Sequence, residues 1–218
     1  RLWLGWLDSR REEQAIEARA NLEALDDPAA TTAVVQVLDD VTDPWVYGEL
    51  LRVLGRLDHP DAVRKLVDVS LYDSSVDLRE LALDLLTRNG RRVPILPYVR
   101  ALKNADNKVV NRAGKALALI GDPEAVSPLI DALTTEHKYK VQTGNPGGIN
   151  AGMVNGSGGF SMGGDGPKII TKALDNPAVL QALTKLTGEH NLEYDESAWR
   201  SWFVNQQERA LSSARRDK

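Results

Sequence analysis

The chain contains no cysteine, which excludes a disulfide framework, a thiolate nucleophile and any zinc site built on sulfur. Histidine is nearly as scarce. His59, His137 and His190 are the three present, none at the spacing of paired metal ligands, so no metal is expected and all three read as polar loop positions. Long apolar runs are missing too: the segment Leu2 to Leu7 falls far short of the roughly 20 residues that a membrane-spanning helix needs. Positive charge is not in excess either. A formal net charge of −4 and a pI near 5.5 supply no global attraction for a phosphate backbone, so nucleic acid is not an expected partner.

What is present is an ordinary balance of 42% hydrophobic and 27% charged residues, enough apolar material for a folded core. It is arranged periodically. Leu22, Leu54, Leu86 and Leu117 form one column with spacings of 32, 32 and 31 residues, and Val35, Val67, Val99 and Ile130 keep step in another. Self-similarity at this period marks helical hairpins that cannot bury an apolar face alone and therefore stack on their neighbours. In the clearest copy Val109, Ala113, Ala116, Leu117 and Ile120 give one helical face. Gly121 ends that helix, and Asp122-Pro123 opens a second with Val126, Leu129, Ile130 and Leu133 inward. Equivalent residues one period earlier are Leu78, Ala82, Leu85 and Leu86, then Ile95, Tyr98, Val99 and Leu102. Val46, Leu50, Val53, Leu54 and Leu57 repeat the pattern before the turn His59-Pro60, and Ala18, Leu22 and Leu25 repeat it before Asp27-Pro28.

This pattern of an acid, a buried aliphatic, Ala-x-x-Ala-Leu, Ile-Gly-Asp-Pro-x-Ala-Val and a Leu-Ile pair resembles the short bacterial HEAT-like repeats, including the type found in phycobiliprotein lyases. Asp106 to Leu133 carries it almost whole. Arg79 matches an arginine common in those repeats, whereas Tyr47 and Val110 depart from it, so an arginine ladder between repeats is expected to be incomplete. The resemblance implies a right-handed α-solenoid of HEAT-like hairpins, and most commonly a protein or peptide partner rather than a reaction. It also implies two alternatives, a chromophore-handling lyase-like role and a HEAT-like DNA glycosylase. The acidic balance argues against the second.

Four repeats are expected over residues 11–137, preceded by a capping segment over 1–10, where Trp3, Leu4, Trp6 and Leu7 suit the last helix of an upstream repeat. Because the chain opens at Arg1, it is expected to be a processed product or an excised fragment. Residues 138–172 interrupt the period. The alternation His137 to Gln142 reads as a strand, Lys168 to Thr171 supplies a partner, and the ten glycines of residues 144–166 are too poor in large side chains to build a core. An inserted β-hairpin with a long glycine-rich tip is predicted. Residues 173–218 then resume with Asn176-Pro177, Val179, Ala182, Leu183 and Leu186, followed by Trp199, Trp202 and Phe203 as a C-terminal cap. This last run resembles the end of secreted-type bacterial HEAT-repeat proteins with a glycine-rich insertion, which implies a bacterial periplasmic or secreted setting; composition itself leaves the compartment open.

No catalytic group is expected. Gly159 to Gly163 fits Gly-x-Ser-x-Gly around Ser161, but a nucleophile elbow needs a strand feeding directly into a helix, and here both flanks are glycine. No Gly-Lys-Ser or Gly-Lys-Thr follows the glycines to hold a phosphate. No cofactor is expected. If the second helices line the groove, as the resemblance implies, Gln36, Asp68, Arg100 and Asp131 form an outward column of alternating charge, expected to pair as a ladder or to meet a partner of mixed charge. Arg64 and Leu96 lie in the adjacent column. With Phe160 on the insertion, these are the candidate contacts for a protein or peptide and, with it, a possible larger assembly.

Overall fold

In a computed structural model of the chain the described residues are 12–88, 92–141, 150–154, 157–161 and 168–216. The expected cap at 1–10 lies outside them. The helices form successive pairs: α1 (Glu12–Glu23) with α2 (Thr31–Leu38), α3 (Pro44–Arg56) with α4 (Pro60–Tyr72), α5 (Val76–Thr87) with α6 (Leu96–Ala101), and α7 (Asn107–Ile120) with α8 (Val126–Ile130). A further pair, α9 (Pro177–Thr187) and α10 (Glu196–Arg216), follows the strands β1 (Thr134–Val141), β2 (Asn150–Val154), β3 (Ser157–Ser161) and β4 (Lys168–Asp175).

Helix starts are set by short acceptors followed by proline, which forgoes a hydrogen bond that the first turn could not make anyway. Asp43 Oδ1 accepts from the amides of Trp45 at 2.8 Å and Val46 at 3.0 Å; Asp27 and Asp122 do the same ahead of short 3-10 turns. His59 Nδ1 accepts the Asp61 amide at 3.2 Å. Gly121 and Gly188, at φ of +76° and +74°, end α7 and α9 in a left-handed conformation that glycine adopts without steric cost.

The periodic leucines all turn inward: Leu22, Leu54, Leu86 and Leu117 are buried, each contributing roughly 2 kcal/mol of transfer free energy. Val67 and Ile130 of the second column are buried, and Val35 and Val99 half-buried. First helices touch in the row α1, α3, α5, α7, α9; among second helices α2 touches α4, α4 touches α6 and α8 touches α10. The core is thus one continuous cluster, the arrangement that stacked repeats require.

The insertion is wider than residues 138–172. β1 pairs antiparallel with β4 from Thr134 opposite Asp175 to Val141 opposite Lys168, because the hydrogen-bonded ladder runs back to within four residues of the end of α8 rather than stopping where the hydrophobic alternation fades. Within the glycine-rich stretch β2 pairs with β3, Val154 opposite Ser157, a second ladder where only a long tip was predicted. The two residues between them are Asn155-Gly156, the dipeptide favoured in two-residue hairpin links.

At the base of the outer ladder lies a buried polar network. Asn176 is fully buried, and its Oδ1 accepts from Asn107 Nδ2 at 2.5 Å and Asn111 Nδ2 at 2.9 Å. Its Nδ2 donates to the Ala132 carbonyl at 2.9 Å and to Thr135 Oγ1 at 2.8 Å. Every donor and acceptor of the amide is used. His137 is also buried rather than a loop residue, because its Nδ1 donates to the Ala105 carbonyl at 2.7 Å while its Nε2 accepts from Thr135 at 2.7 Å. Just above, Gly114 lets α7 approach α9: a Cβ there would meet Ala178 C and Val179 N at 2.9 Å.

Candidate functional site

Two surfaces come into view, the outward side of the second helices and the hairpin. Gln36 on α2, Arg64 and Asp68 on α4, Leu96 and Arg100 on α6, and Asp131 just past α8 are all exposed. Their inward neighbours Leu38, Leu66, Val67, Tyr98, Ala101 and Ile130 are buried, so helical period alone turns the named residues to solvent.

The outward column does not close on itself as a ladder. Arg64 Nη1 binds Asp61 of its own helix at 2.6 Å, and Asp131 is taken by Arg200 of α10 at 2.7 Å. Gln36, Asp68 and Arg100 make no side-chain bond to a described residue. Inter-repeat ion pairs form elsewhere, between Lys65 and Asp39 at 2.8 Å and between Lys115 and Glu80 at 2.6 Å. Arginines reach backbone instead: Arg56 donates to the Leu22 carbonyl at 2.8 Å, Arg112 to Leu71 at 2.7 Å and Arg79 to Asp73 at 2.8 Å, in each case a carbonyl at or just past a helix C-terminus.

Electrostatic perturbations follow these contacts. Burial opposes the charge of Lys65, but the hydrogen bond to Asp39 together with the nearby Tyr47, Asp39 and Asp68 charges outweighs it and its pKa is raised. The hydrogen bond from Lys115 lowers Glu80, and that from Arg200 to Glu196, with Asp131 nearby, raises Arg200. Burial pushes the Tyr98 phenol up to about 12. None of these groups borders the open cleft of about 420 Å³ between the ends of α5 and α7, lined by Arg92, Val93, Leu119, Ile120 and Asp122 among others. Among the described residues no group of three or more His, Asp or Glu stands where it could hold a metal ion, and no helix is long and apolar enough to cross a membrane.

On the hairpin, Lys138, Tyr139, Lys140 and Ile169 to Ala173 are exposed. Phe160 has its backbone in β3 opposite Ala151; its side chain lies outside the described ones. Residues that escaped sequence reasoning are Asn176, His137 and Arg200. Asn176 carried one signal, an amide where α3 and α7 open with Asp43 and Asp106, since an amide can donate as well as accept. His137 carried none, because nothing local places Ala105 beside it.

Residues 65–144 match the family model of the HEAT repeats, a span that runs from α4 through the fourth pair into the hairpin and identifies this stretch as HEAT-like. Repeats of that kind generally act as protein-interaction scaffolds. No curated protein matches the chain.

Proposed function

We infer that the chain is a non-enzymatic scaffold that holds a segment of another protein along the outward side of its second helices, in a groove of right-handed superhelical sense. One observation carries the reading. On the short helix α6, Leu96 stands 54% exposed one turn from Arg100, which has no ion pair to a described residue. An apolar anchor beside a guanidinium without a described ion-pair partner, with Asp68 on the preceding repeat and Gln36 on the one before that, is the mixed surface that an extended peptide of mixed charge can use. Seating a peptide on Leu96 would remove its apolar surface from water, which favours binding there.

Photo-crosslinking amino acids at Leu96 and Gln36, with a control at Glu49 on the first-helix side, test this directly. The groove positions should capture a common protein that the control misses, and Arg100→Glu should lower its yield severalfold. Capture at all three positions alike, or no loss with Arg100→Glu, sinks the groove assignment.

A further inference from the structure

The hairpin combines three features that the repeat stack does not explain. Its base is fixed: Thr135, His137 and Asn176 tie β1 and the end of β4 to α7 and to the Ala105 carbonyl. Its sheet is open: among the described residues β1 and β4 pair only with each other, so each presents one edge whose backbone groups have no described partner. Its charge is of the opposite sign, since residues 134–175 hold four lysines against two aspartates and one glutamate in a chain of net charge −4. Lys138, Lys140 and Lys172 are exposed and pair with no described carboxylate.

β4 is the more accessible strand. Ile169 through Ala173 are exposed without interruption, Ile169 at 64% and Ile170 at 48%, whereas β1 is interrupted by buried His137. The register divides the sheet into two unlike faces. Glu136 opposite Ala173, Lys138 opposite Thr171 and Lys140 opposite Ile169 share one; His137 opposite Lys172 and Tyr139 opposite Ile170 share the other. A strand added to the β4 edge continues both. On the first face Lys138 and Lys140 stand one strand beyond Thr171 and Ile169, roughly two strand spacings or 10 Å from the added strand, within the range over which charges still act. On the second, Lys172 stands on β4 itself beside Ile170, so an acidic side chain can meet it directly while aliphatic ones extend the Tyr139 and Ile170 surface.

Lysines on an open edge also decide against one occupant. A second copy would bring its own lysines alongside, and like charge on a sheet edge is a device against self-pairing. We propose that the β4 edge takes up, as an added strand, an extended protein segment in which acidic and aliphatic residues alternate. This deepens the scaffold reading and rests on it, naming a second contact and its chemistry.

The test uses the full chain and two labelled, end-capped synthetic peptides, one alternating glutamate with valine and the other lysine with valine. Fluorescence anisotropy should show the glutamate peptide binding about tenfold or more tightly than its counterpart, the gap narrowing with salt. Hydrogen exchange should slow at amides within 169–173 and not on α2 or α4. The triple variant Lys138→Glu/Lys140→Glu/Lys172→Glu, all exposed and so without consequence for folding by circular dichroism, should reverse the preference. Equal binding, binding of neither peptide, protection away from β4, self-association of the chain, or lysine-dependent capture of oligonucleotides or anionic vesicles in place of the peptide would each overturn the proposal. Arg100→Glu separates the two readings. Loss of the groove partner with no peptide on β4 leaves the scaffold standing and removes the strand addition; the reverse pattern removes the groove.

Discussion

Tyr98 shows how one side chain can be read from its hydrogens. Ser70 Oγ donates its single proton to the Val67 carbonyl at 2.7 Å, so at 2.9 Å the Tyr98 hydroxyl must donate to Ser70. A phenolate would lose that role and stand in an apolar interior, which is why burial lifts the group to about 12. The unfolded chain ionises near 10.0, below the folded value. The stabilising term is therefore whole below the unfolded value and disappears as pH rises from there through the folded one. Tyr98→Phe should cost about 1 kcal/mol at neutral pH, where Ser70 keeps Val67. Wild type should then lose on the order of 2 kcal/mol more than the variant across the alkaline window. Urea titrations of both proteins at neutral and alkaline pH check whether the order of stability reverses; parallel decline would show that Tyr98 ionises as freely folded as unfolded.

Among elements, the joint between hairpin and stack depends on Asn176. An aspartate there could still accept from Asn107 and Asn111, but it could donate to neither the Ala132 carbonyl nor Thr135, and it would hold a charge at a fully buried position. Asn176→Asp should destabilise by about 3 kcal/mol, the cost of a buried group left unpaired. Because stacked repeats couple mainly to neighbours, exchange should quicken first at the base of β1 and β4 and at the start of α9. Amides of α3 and α4 should keep their protection. Helix positions and inward faces were legible beforehand, since Asp-Pro starts, glycine stops and the 3.6-residue spacing are local signals. The joint was not, because Asn107, Ala105 and Asn176 meet only after the fourth and fifth pairs have stacked.

For the whole molecule the question is whether the insertion belongs to the stack. Asn107 meets Asn176 and Asp131 meets Arg200 at the same separation of 69 residues, so both helices of the last pair follow those of the fourth in one common register. The hairpin is looped out between them. Replacing residues 142–167 by Asn-Gly should therefore preserve the fold, because Val141 already faces Lys168 and a two-residue link closes such a pair. The melting midpoint should stay within about 3 °C of wild type. A large drop, or loss of the helical signal, would mean that the excised segment supports the repeats.

Periodicity by itself determined that paired helices stack, which leucines form their spine and which side chains on the second helices face water, because those outcomes need only local geometry and the burial of apolar area. Tertiary structure alone decided where charge goes. It gave Asp131 to Arg200, left Arg100 without a described partner, buried His137 against Ala105 and ran the hairpin back to Thr134. Ion pairs and buried amides depend on which distant segments arrive side by side, and no spacing along the chain encodes that meeting.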